Sequence, residues 1–292
     1  MITKPQHDNF RPTVSKCGLQ ILREALGLSK STAPSPWSNS LLVSIDFEMT
    51  DNIMSRFTKG EECQVGLAKL DTRDLQRASL PPYRRLVKTD NYVSGSYQYV
   101  TKASKEFLFG KPSFVTPAKI LKTIQAAIPQ NQDRRIVMVS HGAWNEILML
   151  GALGYKFARN IYFVDTFHVA QEAFGYCEYS LGDLLRRVEC PHGGLHNGGN
   201  DANFTLRACL LLALHNYEED EDTVTLARYL SEIATSDIPH RVDPEVRAAQ
   251  RKEKRLAKSR KHQARSWSIE QQDQIRAERA AKKAALERNA FY

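Results

Sequence analysis

The 292-residue sequence predicts an α/β domain, a mixed sheet flanked by helices, with a helical N-terminal extension and a basic C-terminal tail. Three observations predict it. Apolar strand patterns come first and then alternate with helical ones, the order of a mixed sheet with helices packed on it. Hydrophobic residues make up 42% of the chain and charged residues 25%, the balance of a globular core and not of a disordered or fibrous chain. The charge is also uneven. Arg241 to Tyr292 holds 15 Lys+Arg against 7 Asp+Glu, so the totals of 41 and 33 leave 26 of each for residues 1–240. A neutral body and a tail of net +8 separate chemistry in the first from capture of something acidic by the second.

The elements follow in order. Leu19, Ile21, Leu22, Ala25 and Leu26 form a stripe that predicts a helix over Val14 to Leu28. STAPSPWSNS (31–40) reads as a linker. LLVSIDFEM (41–49) is the first strand, an apolar run turning polar at its far end, and ECQVGLAKL (62–70) alternates as a second. Leu86 to Gly110 carries no readable period. A helix is expected over Thr116 to Ile128, then a buried strand RIVMVS (135–140), a helix from Ala143 to Leu153 and a strand IYFVD (161–165). Helical segments follow near Thr166–Phe174 and Ser180–Val188. Next comes a helix from Asn200 to His215, apolar on most faces and so buried. A short amphipathic helix over Asp222 to Ala234 completes the body. The resulting division is an extension over 1–36, the main domain over 37–217, a short helix and linker over 218–243, and the tail over 244–292.

Several classes are excluded. Five cysteines, few and odd in number, do not make a disulfide framework. No apolar run approaches the roughly 18–20 residues of a spanning helix, and the start lacks the apolar stretch of a signal peptide. An intracellular protein that does not cross a membrane is the expectation.

Three acidic clusters fall at the ends of predicted buried elements. Asp46 and Glu48 are two apart on the first strand and therefore share a face. Either they share a divalent cation, which relieves their repulsion, or the strand simply ends in solvent. VSHGAWNEILML (139–150) is a strand-to-helix junction carrying His141, Asn145 and Glu146. In LHNGGNDANFTLRA (195–208), His196 stands five residues ahead of Asp201 across a glycine turn. Asn200 or Asp201 can be a helix cap there. Equally, His196 can act as a base near neutral pH and Asp201 as a metal ligand. Asp165 fits an N-cap better than a substitute ligand. Cys177, Cys190, His192 and His196 lack Cys-x2-Cys spacing, so zinc is set aside.

The order Asp46-x-Glu48, an acid after VSHG, and His196-x4-Asp201 resembles the DEDDh group of 3′-5′ exonucleases, which have the ribonuclease H-like fold. KEFLFG (105–110), VDT (164–166) and LHNGGNDANFTLRA further resemble a fungal branch of nuclease-like domains, the "good for full DEAD-box protein activity" type. The resemblance covers Leu41 to Tyr217. It implies a hydrolase that cuts single-stranded RNA or DNA ends with two Mg²⁺ or Mn²⁺ ions about 3.5–4 Å apart. Asp46, Glu48, Glu146 and Asp201 would be the metal ligands and His196 the general base. One departure stands out: Glu146 occupies a position where the family has Asp, and the extra methylene shifts the carboxylate. A compensating helix shift, weak binding of the second ion, and a site that binds nucleic acid or an RNA-processing partner without cutting all remain open.

The tail segment RKEKRLAKSRKHQAR (251–265) is expected to attract nucleic-acid phosphates, to act as a nuclear localisation signal, or both. The corresponding location is nuclear, cytoplasmic or both.

Overall fold

A computed structural model describes residues 12–29, 35–76, 86–129, 134–176 and 178–238, together with 274 and 276–278. The chain separates into two units, Met1–Pro239 and His240–Tyr292. In the second, the described residues are helical and exposed. The expectations for residues 251–265 and for Cys177 lie outside the described residues.

The first unit is built on a six-stranded mixed sheet of order β4-β3-β2-β1-β5-β6. The strands are β1 (Ser40–Glu48), β2 (Cys63–Asp71), β3 (Lys88–Ser94), β4 (Ser113–Phe114), β5 (Arg135–Ser140) and β6 (Ile161–Asp165). β1, β2 and β3 pair antiparallel, whereas β5 lies parallel to β1 and to β6. The helices are α1 (Gly18–Ala25), α2 (Thr50–Met54), α3 (Tyr97–Glu106), α4 (Pro117–Ala127), α5 (Ala143–Ala152), α6 (Thr166–Phe174), α7 (Leu181–Arg187), α8 (Gly198–Leu214) and α9 (Val224–Thr235). This is the ribonuclease H-like arrangement that the resemblance implied.

Alternation along the strands divides the core in two. Leu41, Val43, Ile45 and Phe47 of β1 pack with Val65, Leu67 and Met138 against Ile53 of α2, Ile120 and Ile124 of α4, and Met149 and Leu150 of α5. The other face carries Leu42, Ala68, Leu70, Val137 and Val164 against Leu22 of α1, Val169 of α6, Leu184 of α7, Leu230 of α9 and much of α8. Each large side chain fully buried in these layers contributes about 1.5–3 kcal/mol. Asp46 and Glu48 continue the parity of Leu42, so they finish β1 on the α8 side.

Some expectations change. The N-terminal helix is shorter than Val14 to Leu28, because Val14 bridges to Phe163 beside β6 and Ser15 N–H donates to the Phe163 carbonyl at 2.9 Å. The Glu172 carboxylate then starts α1 by accepting from the N–H groups of Gly18 and Leu19 at 3.2 Å each. Leu22, Leu26 and Leu28 are fully buried, so residues 12–29 belong to the core and do not stand apart as an extension. The stretch with no readable period holds β3 and α3, the latter capped by Ser96. Polar buried Asn91 hides the strand pattern of β3. Among the described residues no helix is long and apolar enough to cross a membrane.

Candidate metal centre

The centre forms where α8 lies directly on the backbones of β1 and β2. Asp46 stands opposite Gly66 in the ladder, and Glu48 opposite Gln64. A Cβ on Gly66 would overlap the carbonyl of Gly198, and one on Gly199 would lie 2.7 Å from Cβ of Asn91. Only glycines permit this approach, which brings Asp201, in the first turn of α8, close to Asp46. The two consecutive glycines of HNGGND are therefore packing residues.

Buried amides hold the turn in place. The Asn197 side chain caps α8 by accepting from Asn200 N–H at 3.4 Å; it also accepts from Asn91 at 3.1 Å and donates to the Ala103 carbonyl at 3.1 Å. Asn91 donates to Gln64 at 2.9 Å, the neighbour of Glu48 across the ladder. Asn200 accepts from Leu108 N–H at 2.8 Å and donates to the carbonyls of Glu106 and Gly194 at 2.9 and 2.7 Å. KEFLFG and HNGGND, distant in sequence, are thus two halves of one contact. Because Asn197 is the cap, α8 begins at Gly198, two residues before the expected start. His196 sits in the left-handed region at φ 64°, held by its N–H, which donates to Asp201 Oδ2 at 2.9 Å.

Ligand atoms of Glu48, His196 and Asp201 lie within 4.8 Å of one another, the one such group of three found among the described residues. Asp46 is not in that trio but is electrostatically tied to it: burial, then the charges of Asp201, Glu146 and Glu48, push its carboxyl well above the usual range. Glu146 is buried in the first turn of α5 and pushed up to about 8, mainly by burial and further by the charge of Asp165. Burial raises Asp201 to about 7, the His196 N–H acting against it and the Glu48 charge adding to it. Glu48 is raised by burial, with His196 pulling the other way. Asp46 Oδ2, Glu146 Oε2 and Asp201 Oδ1 are buried with no hydrogen-bond partner. Buried carboxylate oxygens cost free energy when unpaired, and shared cations are the partners this convergence suits.

Other candidates have ordinary work. Asp165 caps α6 through Phe167 N–H at 3.0 Å, and also accepts from Gly142 and Ala143 N–H at 2.9 Å each, fixing the start of α5. His141 has both ring nitrogens engaged, with Thr166 Oγ1 at 3.0 Å and the Tyr179 carbonyl at 2.9 Å. Cys190 Sγ donates to the Ala234 carbonyl, away from His196. The sequence reading missed Gln64, Asn91 and Asn197, for which a polar amide inside an otherwise apolar strand or helix start was the available signal; Asn200 and Asp201, expected as possible caps, lie inside α8, and the cap is Asn197.

Fold and site together define a domain of the DEDDh class, and the chain belongs to that family: residues 41–212 match the family described as DNA polymerase III subunit epsilon-like, C-terminal domain. It is similar to the Saccharomyces cerevisiae protein named "Good for full DBP5 activity protein 2", at 22% identity over 191 residues, 55% of this chain and 32% of that protein. A second protein of the same yeast, uncharacterised, is 38% identical over 61 residues, 21% of this chain and 13% of its own length. The matched stretch thus spans less than a third of either relative.

Proposed function

We propose that the domain is a metal-dependent exonuclease that hydrolyses phosphodiester bonds at single-stranded RNA or DNA ends, proceeding 3′ to 5′ and releasing nucleoside 5′-monophosphates. The observation that carries the reading is the convergence of Asp46, Glu48, Glu146 and Asp201, three of them with an unsatisfied buried oxygen, beside exposed His196. Two Mg²⁺ or Mn²⁺ ions bound there would supply the positive charge that stabilises attacking and leaving oxygens in an in-line displacement at phosphorus. Asp46, at the centre of the four, would hold both ions. Glu48 and Asp201 would complete one site and Glu146 the other. His196 accepts a proton from the attacking water, and its exposure lets it pass that proton to solvent. Glu48 is attracted to the imidazole and steadies it when charged. The bond from Asp201 to His196 N–H sets the position of the base by the same residue that binds metal. The strand direction rests on family membership.

Incubation of the purified chain with 5′-labelled single-stranded RNA and DNA tests the reading, with Mn²⁺, Mg²⁺ or chelator. A ladder of products shortened from the 3′ end, lost with chelator, is the expected result. Undigested oligonucleotide under every condition would remove it. Glu146 at the family's Asp position favours a second reading, a weak or inactive module that binds nucleic acid or an RNA-processing partner.

The basic tail, residues 251–265 above all, is proposed to capture phosphates and to direct nuclear import. Deletion beyond Asp243 should weaken oligonucleotide affinity and flatten its salt dependence.

A further inference from the structure

A second feature of the body lies on the sheet face opposite the carboxylates. Tyr92 pairs across β2 with Val65 and packs with the Phe47 and Val65 side of the core, whereas Asp46 points to α8. There Lys69, Tyr92, Lys119, Lys122 and Thr123, with Ala126 and Ala127, line an open groove of about 530 Å³. Lys69 is paired with Asp90 at 3.1 Å. Lys119 and Lys122 are exposed and make no ion pair among the described residues.

The sequence of α4 makes this charge unusual. Lys111 to Ile128 contains no Asp or Glu. Lys119 and Lys122 are three apart and so share a helix face, and their i±4 neighbours, Val115, Thr123, Ala118 and Ala126, carry no compensating charge. Two like charges placed that way weaken a helix, and an anion from outside relieves them. The groove offers ammonium groups on both flanks, a phenol whose hydroxyl can donate, and a half-buried aromatic and alanine wall between. Burial and the Asp90 charge push the Tyr92 phenol up to about 12, so it stays protonated at neutral pH. Two uncompensated cations, a hydroxyl donor and an apolar strip in one groove match a chain of phosphates joined by sugars and bases better than they match an acidic peptide.

We propose that this groove binds the phosphate backbone of a single-stranded nucleic acid, at a site separate from the carboxylate centre. The identity of the ligand rests on the nuclease reading above. The site would hold a strand to the body independently of the tail.

The test uses the full chain with Asp46→Asn, which prevents digestion, and a fluorescent 20-nucleotide single-stranded RNA. Affinity is measured against salt for this background, for added Lys119→Glu/Lys122→Glu, and for Lys16→Glu/Arg228→Glu, an equal charge change at exposed positions outside the groove. The groove variant should lose roughly ten-fold in affinity at moderate salt and about 1.4 in the log–log salt slope, two phosphate contacts' worth, with the control close to the background. Equal losses in both variants would mean general charge attraction and overturn the proposal, as would no loss in either. Polyglutamate that displaces RNA from the background but not from the groove variant would assign the groove to acidic peptides instead. Hydrolysis of a nucleoside 5′-monophosphate nitrophenyl ester by the wild-type chain reports the carboxylate centre alone. A failure of the nuclease reading therefore appears in that assay, and a failure of the groove in the binding curves.

Discussion

Two helices bring a carboxylate to the centre from their first turns, and they are fastened in opposite ways. α8 presses on β1 and β2 through glycines and is tied down by Asn197 and Asn200, whose side chains bond to backbone on both sides of the turn. α5 follows Gly142, which lies in the left-handed region at φ 87°, and is held at its start by one carboxylate, that of Asp165. Its outer face carries Trp144 and Leu148 at 56% and 54% exposure. The difference teaches why the acids differ. Backbone contact on α8 leaves room only for a short side chain, so Asp201 fits there. α5 packs with the other core layer, among Ile45 and Phe47, and its Glu146 brings its charge to bear on Asp46 from there.

The largest effect should come from breaking the tightly fastened side. Asp201→Asn keeps an oxygen for the His196 N–H but removes a charge, and Asp46→Asn does the same at the centre. Turnover should fall by more than the roughly 10–100-fold typical of losing an outer partner of a metal ligand. Single-turnover assays with Mn²⁺ measure it, and unchanged rates would refute the site. Gly66→Ala attacks the same region through packing. The new methyl meets the Gly198 backbone, which cannot rotate away, so overpacking of about 3 kcal/mol or more is expected. For a unit of this size that lowers Tm by roughly 6–12 °C, read by thermal unfolding, with activity falling alongside.

This contrast also marks what could be read in advance. The strands β1, β2, β5 and β6 and the helices α4 to α9 follow from apolar periodicity, which burial enforces directly. Asp46, Glu48, His196 and Asp201 were recognisable because their spacing lies within two short segments. Glu146 needed the family pattern, and its buried, unpaired state needed the structure. The amides were illegible for a physical reason. Asn91, Gln64, Asn197 and Asn200 bond to partners as much as 106 residues away, and although an amide inside an apolar segment could be noticed, nothing local names the partner it bonds to. The N-terminal helix was read correctly as a helix but not as core, because its partners, on α6 and α8, come late in the chain.

A smaller effect is expected on the loosely fastened side. In Glu146→Asp the start of α5 stays fixed by Asp165, and the carboxylate retreats by one bond of about 1.5 Å. Turnover should drop, by less than in Asp46→Asn, and the Mn²⁺ concentration for half-maximal rate should rise. A steep gain in rate would instead identify the natural glutamate as an impairment and favour the weak-module reading.

The subtlest consequence concerns pH. Without metal, Glu146 is pushed up to about 8 and Asp201 to about 7, against roughly 4 for such groups in an unfolded chain. The folded state therefore holds protons that the unfolded state has released. The stability associated with those protons is complete below about pH 4 and is lost as pH rises through 7 to 8. Asp71, pulled down to about 2 by Arg73 and Arg134 against its own burial, contributes in the opposite sense, but its part is already complete above about pH 4. Burial lowers the His141 imidazole, which adds stability as pH rises toward about 6.5, so in chelator the fall in Tm should be clearest between about pH 6.5 and 8. Added Mn²⁺ requires deprotonated ligands, so the gap between metal-loaded and metal-free Tm should widen over the same interval. Glu146→Gln, neutral throughout, should flatten the metal-free decline and narrow the gap while leaving Asp201 to titrate near 7. A metal-free Tm that does not change from about pH 6.5 to 8, above the range where His141 titrates in the unfolded chain, would mean that these carboxylates are not crowded together as the geometry requires.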